Sequence, residues 1–169
     1  MHLNDPSSIL SRYQMVPRTL IFINKGGKYL LIHKKKPESF GFNKMNGVGG
    51  HIERGEEPFE SAQREIVEET GLVVDDMELS AILFIDINST PGIQVFVFKA
   101  DYLEGEIKHS DEGELCWMSL FEIRNSDDVV SDVPDLIEAC QAHKAGAQPQ
   151  IIKYIYDNLG ELRIVNRSD

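Results

Sequence analysis

One mixed α/β (α+β) domain is what the sequence predicts, and three observations carry that expectation. Apolar runs of strand length recur along the chain, bounded by Gly, Pro, Asn or Asp. The stretch 58–70 has start and stop signals for a helix, with Pro58 in its first turn and Gly71 beyond its end. The length, 169 residues with 41% hydrophobic and 27% charged, suits one core and leaves little room for a second. No internal repeat, low-complexity tract or Pro/Ser-rich linker divides the chain. The expected layout is a polar N-terminal arm over 1–15 and a single domain over 16–169.

The elements follow in order. Runs at 19–23 and 29–33 flank Asn24-Lys25-Gly26-Gly27-Lys28 and read as a hairpin. Residues 34–46, basic and then mixed, read as a loop. After the helix at 58–70 come strands at 79–87 and 93–102, joined by the turn-rich Asn88-Ser89-Thr90-Pro91-Gly92. A short strand at 115–118 precedes a second helix at 133–145, ended by Gly146 and Pro149. Runs at 151–156 and 161–165 flank Asp157-Asn158-Leu159-Gly160 as a last hairpin. Strands of mixed pairing with about two helices define the class.

Charge and cysteine usage exclude several functions. With 28 acidic and 17 basic residues the net charge is −11, a surface that repels phosphate backbones and argues against nucleic-acid polymers as partners. A small phosphorylated ligand stays compatible if cations bridge the like charges. Cys116 and Cys140 form no CxxC or Cys/His pattern. No stretch approaches the roughly 18 apolar residues of a membrane span, and the N-terminus lacks a basic region followed by an apolar one. A soluble, cytosolic domain is expected.

Helix 58–70 concentrates acid on one side. Glu65, Glu68 and Glu69 fall within an arc of about 100°, while Phe59, Ala62 and Ile66 fill the adjoining arc and should face the core. Like charges at these spacings repel, so something must neutralise them. Clustered carboxylates suit hard divalent ions such as Mg²⁺ or Mn²⁺. A solvated acidic face is the plainer alternative.

The wider spacing decides between the two. From Gly50 the chain reads Gly50-x5-Glu56-x7-Arg64-Glu65-Ile66-x-Glu68-Glu69-x-Gly71-Leu72. Every position matches the signature of the Nudix hydrolases, which the sequence therefore resembles; a chance match at a given start has odds on the order of one in 10⁸. The resemblance implies an α/β/α sandwich with a mixed sheet and a loop–helix–loop motif. It also implies Mg²⁺- or Mn²⁺-assisted hydrolysis of nucleoside diphosphates linked to another moiety. By the same resemblance, Glu65, Glu68 and Glu69 match the metal-binding glutamates, and the carbonyl of Gly49 is a further ligand. Arg64 and Glu56 match the polar pair that orients the acidic loop, and Glu65 or Glu69 is the general base. Catalysis would then be mostly electrostatics and placement of a water.

The flanking residues bear on the substrate. Lys44-Met45-Asn46-Gly47-Val48-Gly49-Gly50-His51 resembles the W-N-G-x-G-G-K segment of MutT-like members, which hydrolyse oxidised purine nucleoside triphosphates such as 8-oxo-dGTP. The resemblance makes Asn46 a reader of the base edge, although Asn-Gly is also a strong turn pair. Met45 departs from the usual Trp. Ser110-Asp111-Glu112-Gly113-Glu114-Leu115-Cys116-Trp117 resembles the branch's S-D-E-x-x-x-C-W run, which makes Glu112 one more metal ligand. Thr19 matches a position lining the base pocket, and Asp132 is the nearest counterpart of the branch's purine-reading Asp pair. The cluster His33-Lys34-Lys35-Lys36 is a rare positive spot in this chain, with Lys34 the candidate phosphate contact; it could equally be a solvated hairpin edge.

The expected activity is Mg²⁺-dependent conversion of a nucleoside triphosphate, an oxidised purine such as 8-oxo-dGTP, to monophosphate and pyrophosphate. Another Nudix substrate, such as ADP-ribose or a dinucleoside polyphosphate, is the alternative. A non-catalytic nucleotide sensor is disfavoured because every box glutamate is present, and an isomerase of the same fold because no Cys precedes Cys116. The expected partner is a small nucleotide, with no membrane and no nucleic-acid polymer.

Overall fold

The structure is a computed structural model that describes residues 12–35, 43–86, 91–108, 113–156 and 162–166. Its strands are β1 (Met15–Lys25), β2 (Lys28–Lys34), β3 (Met45–Asn46), β4 (Val73–Asp86), β5 (Gly92–Glu104), β6 (Gly113–Ser119), β7 (Gln150–Tyr156) and β8 (Leu162–Asn166). Its helices are α1 (Pro58–Thr70), α2 (Leu120–Arg124) and α3 (Val133–Ala142). The sheet order is β3-β2-β1-β5-β4-β7-β8, with β6 on the other edge of β2. Pairing is parallel for β1 with β5 and for β4 with β7, and antiparallel elsewhere.

Alternation along the central strand explains the layers. Ile21 and Ile23 of β1 point to one face, where they pack with Leu30, Val48 and, from α1, Ala62 and Ile66. Phe22 points to the other face and joins Leu31, Val97, Ile123, Val133 and Ile137 under α2 and α3. Residues 20–23 therefore read as one continuous apolar run because the strand is covered on both sides. The expected α/β/α sandwich is what forms. A fully buried Ile such as Ile66, 2% exposed, contributes about 1.5–3 kcal/mol.

Several details depart from expectation. Strand β4 begins at Val73, six residues before the expected Leu79, because register shifts between Asp75 and Glu78 and between Leu79 and Ala81 absorb an acidic stretch that strands disfavour. The segment expected as loop contains β3, whose Met45 and Asn46 pair with His33 and Ile32. Helix α2 was not expected; its capping box, Ser119 with Glu122, is local and short. Helix α3 stops at Ala142 rather than Ala145, with extended backbone at its cap His143. Phe59, expected in the core, is 40% exposed and packs edge-on to Phe98 at 6.2 Å. Among the described residues no helix is long and apolar enough to cross a membrane.

One feature of the sheet positions the site. Strand β1 pairs with β2 only beside the hairpin turn, at Asn24 with Tyr29 and Lys25 with Lys28. Farther along, the two strands diverge and residues 48–51 run beside β1 instead. Ile21 donates its N–H to the Val48 carbonyl at 2.7 Å and Thr19 its own to Gly50 at 2.9 Å. The Gly49–Gly50 loop is thereby held between the sheet and α1.

Candidate functional site

Helix α1 starts and stops where its sequence demands. Glu57 is the N-cap and accepts from the Phe59 and Glu60 N–H groups, while the Glu60 carboxylate accepts from Glu57 N–H. Gly71 ends the helix with φ 70°, a left-handed conformation that costs glycine little. The axis is thus fixed, and its carboxylates take different places around it. Glu65 and Glu69 are buried, whereas the Glu68 side chain is 61% exposed. The three do not share one environment, although they share one face.

Arg64 organises the outer part of this face. Its Nε donates to Glu56 Oε1 at 2.6 Å and its Nη2 to Glu56 Oε2 at 3.0 Å, a two-pronged pair. Nη1 donates to Glu65 at 2.9 Å and to Glu68 at 3.1 Å. Nη2 also reaches the His51 carbonyl at 3.1 Å and Ser61 Oγ at 3.2 Å. The hydrogen bond from Arg64, with one from the Glu53 N–H, brings the Glu56 carboxyl down to about 2. Arg64 is held all the more firmly protonated, chiefly by Glu56.

The inner part belongs to Glu69, Gly49 and Lys34. Glu69 Oε2 accepts the Gly49 N–H at 2.9 Å, and Glu69 Oε1 accepts from Lys34 Nζ at 2.6 Å. Lys34 Nζ lies 3.3 Å from the Gly49 carbonyl oxygen. Gly49 has φ 144°, and a Cβ there would collide with the Thr19 carbonyl. A Cβ on Gly50 would run into the Glu65 carboxylate, so this glycine lets the acid press against the loop backbone. Burial pushes the Glu65 carboxyl up, and the neighbouring charge of Glu69 adds to the rise; Arg64 opposes it.

Among the described residues no three His, Cys, Asp or Glu side chains form a ready metal cage. Arg64 and Lys34 engage the carboxylate oxygens instead, so the neutralisation demanded by the helix comes from two protein cations. The donor set still fits a hard divalent ion. Two buried carboxylates, from Glu65 and Glu69, abut the Gly49–Gly50 backbone, so carboxylate and carbonyl oxygens are the lone-pair donors gathered there.

Thr19, Asn46 and Asp132 come from three separate elements, β1, β3 and the N-terminus of α3. Thr19 is 3% exposed and its Oγ1 has no hydrogen-bond partner among the described residues. Asn46, 9% exposed, accepts the Gly47 N–H on its own Oδ1 at 2.8 Å, the local turn contact that its Asn-Gly pair suggests. The segment before α3 zips onto β3: Met45 N–H donates to Asp128 at 2.7 Å, and Val130 N–H donates to Met45 at 3.0 Å. That brings Asp132, the N-cap position of α3, near the strand of Asn46. Burial pushes the Asp132 carboxyl up, against a hydrogen bond from Tyr154. Glu112 lies outside the described residues.

Sequence reasoning gave no role to Arg18, His51 or Ser61. Arg18 Nη2 donates to His51 Nε2 at 2.7 Å, which fixes the imidazole proton on Nδ1 because a guanidinium only donates. Burial, then the Arg18 charge, lowers the His51 pKa. The signal was present: His51 follows the two glycines directly and Arg18 precedes Thr19. A separate cleft of about 370 Å³ opens at the other end of the sheet, near Asn24, Glu78, Lys99 and Asp101. Within it Lys99 pairs with Glu78 at 2.9 Å, and the Asn24 amide donates to Asp101 at 3.0 Å.

Comparison with known proteins agrees with this geometry. Residues 14–140 match the NUDIX domain family. The chain is 39% identical over 106 residues to the oxidized purine nucleoside triphosphate hydrolase of Danio rerio, covering 62% of this chain and 67% of that protein. It is 34% identical over 110 residues to the protein of the same description from Mus musculus, covering 64% and 69%. Among solved structures, the MutT protein of Bacillus halodurans superposes with a TM-score of 0.66 at 26% identity, over 89% of this chain and 97% of that one. The MutT protein of Methanosarcina mazei shares the fold, with a TM-score of 0.64 at 23% identity over 77% and 95%. Nudix hydrolases use divalent metal ions, in keeping with the oxygen donors gathered at Gly49, Glu65 and Glu69. With the family match spanning both the acidic helix and the sheet that supports it, this chain belongs to the Nudix family.

Proposed function

We propose that the protein hydrolyses an oxidised purine nucleoside triphosphate of the 8-oxo-dGTP type to the monophosphate and pyrophosphate, with Mg²⁺ as its working cation and Mn²⁺ as a substitute. The observation that carries this reading is the convergence of Glu65, Glu69 and the Gly49 carbonyl on one side of α1, held by the Arg64–Glu56 pair. The zebrafish and mouse relatives supply the substrate class. Glu68 and, just ahead of β6 in the sequence, Glu112 complete the cation-binding set in this reading.

A divalent cation held there by Glu65, Glu69 and the Gly49 carbonyl would offset the repulsion between phosphates and glutamates and polarise the phosphoryl oxygens, opening phosphorus to attack. The chain's own residues do the rest. Arg64 fixes Glu56 and Glu65 so that the carboxylates need no reorganisation as charge develops. In this reading Glu65 or Glu69 takes the proton of the attacking water. Oxygen from that water joins phosphorus, the phosphoanhydride bond between the α- and β-phosphates breaks with its electron pair going to the departing oxygen, and monophosphate and pyrophosphate separate. Thr19, Asn46 and Asp132 contact the base, the unpartnered Oγ1 of Thr19 being the clearest opening for a ligand atom. Lys34 serves the phosphate chain. The net charge of −11 keeps nucleic-acid polymers away and leaves a small nucleotide as the partner.

The decisive experiment is a substrate panel with purified protein and Mg²⁺: 8-oxo-dGTP, dGTP, ADP-ribose and a dinucleoside polyphosphate, scoring pyrophosphate against phosphate. Preferential pyrophosphate release from 8-oxo-dGTP is the expected result. Higher kcat/KM for ADP-ribose or the dinucleoside would overturn the substrate reading and keep the hydrolase.

A further inference from the structure

Lys34 stands where a cation is expected. Its ammonium lies between Glu69 Oε1, at 2.6 Å, and the carbonyl of Gly49, at 3.3 Å, two of the oxygens assigned above to a divalent ion. Both partners of the ion pair are buried, with side-chain exposures of 10% for Lys34 and 5% for Glu69. A buried ammonium is costly unless paired, so the contact is a strong local one and not surface decoration. Lysine is suited to letting go: it is a compact charge on a flexible four-carbon stem, whereas a guanidinium would lock into a planar two-pronged pair. Arg64, the other cation of the face, is locked in this way to Glu56 and cannot substitute.

We propose that Lys34 is an exchangeable counter-ion, which holds Glu69 and the Gly49 carbonyl together until a divalent cation takes those oxygens, and then swings to the phosphate chain of the nucleotide. The inference rests on the reading of Glu69 and Gly49 as cation ligands and adds a coupling to it. Cation affinity in the absence of nucleotide is reduced by competition with the ammonium. Nucleotide binding after the cation gains a contact that was tied up before, so each ligand favours the other.

The test uses Mn²⁺ or Mg²⁺ alone, without nucleotide, so activity is not the readout. Calorimetric titration of Mn²⁺ into wild type and Lys34→Met should show at least about tenfold tighter binding to the variant, because the competitor is gone. In the wild-type protein, the Lys34 Cε and Nζ resonances should shift from those of a buried ion pair to those of a mobile lysine as Mg²⁺ is added. This second measurement decides the matter alone if Lys34→Met does not fold. Equal or weaker Mn²⁺ binding to a folded Lys34→Met, or resonances unmoved at saturating Mg²⁺, would overturn the exchange while leaving the cation site standing. Absence of Mn²⁺ binding that Glu69→Gln can abolish would instead overturn the site, and the exchange with it.

Discussion

Arg64 and Lys34 neutralise the same acidic helix by opposite means. Arg64 is part of α1 and reaches Glu56, Glu65, Glu68, Ser61 and a backbone carbonyl, five groups within 13 residues of it in sequence. Lys34 comes from β2, 35 residues from Glu69, and its ammonium touches that carboxylate and one carbonyl in a nearly dry setting. The guanidinium spreads its donors in a fixed fork and behaves as scaffold; the ammonium is a point charge that a better cation can replace. The contrast teaches that one acidic face can combine permanent and releasable compensation, according to which cation the fold supplies.

The sharpest break between the inner and outer carboxylates should come from removing one charge at a time. Glu69→Gln is expected to lower kcat by at least about 10²-fold, with the circular dichroism spectrum retained, and Glu68→Gln, on the exposed side, to cost less. Near wild-type turnover of Glu69→Gln at saturating Mg²⁺ would end the distinction. Next in size is Arg64→Lys, which keeps the charge and loses the fork. Urea denaturation should show a loss of about 2–3 kcal/mol, since several charge-assisted bonds are broken at a site still partly open to water. An unchanged midpoint would mean that Arg64 is not the scaffold described.

Gly50→Ala probes the same face through the backbone. The added Cβ meets the tip of a flexible side chain, Glu65, so the carboxylate should move and the fold should not. kcat/KM is expected to fall on the order of tenfold from misplacement, with stability changed by less than about 1 kcal/mol. A normal kcat/KM would remove Glu65 from the chemistry.

The smallest effect is a pH dependence. Glu56 has a folded-state pKa of about 2 against an ordinary 4.5, so its stabilising contribution is present above the ordinary value. That contribution declines as pH falls from about 4.5 toward about 2 and the carboxylate takes up a proton. The urea midpoints of wild type and Glu56→Gln should therefore differ by a constant amount between pH 6 and 8 and converge across the acid window. A gap that widened on acidification would contradict the Arg64–Glu56 assignment.

The legible part of the site is the part with local spacing. Helix α1 was readable to the residue because Pro58, the Glu57–Glu60 box and Gly71 each act within a turn of the helix. The Arg64–Glu56 pair was readable because a fixed spacing carries it. Strand β4 was read too short because acidic residues at 75, 76 and 78 mask a strand that a register shift accommodates. Asn46 shows a subtler limit, since its turn contact with Gly47 is as evident as any role in reading a base.

By itself the sequence determined the mixed α/β class, the helix with its caps and the order of the acids along it. These depend on periodicity, capping and spacing, which act over a few residues. Only the tertiary structure decided that Glu69 meets Lys34, that His51 meets Arg18, and that Glu68 turns outward while Glu65 is buried. Those outcomes follow from β1 and β2 diverging so that residues 48–51 enter beside β1, a consequence of how many strands compete for the same backbone hydrogen bonds. No local pattern encodes these meetings, because Arg18 and His51 lie 33 residues apart in the chain and Lys34 and Glu69 lie 35 apart.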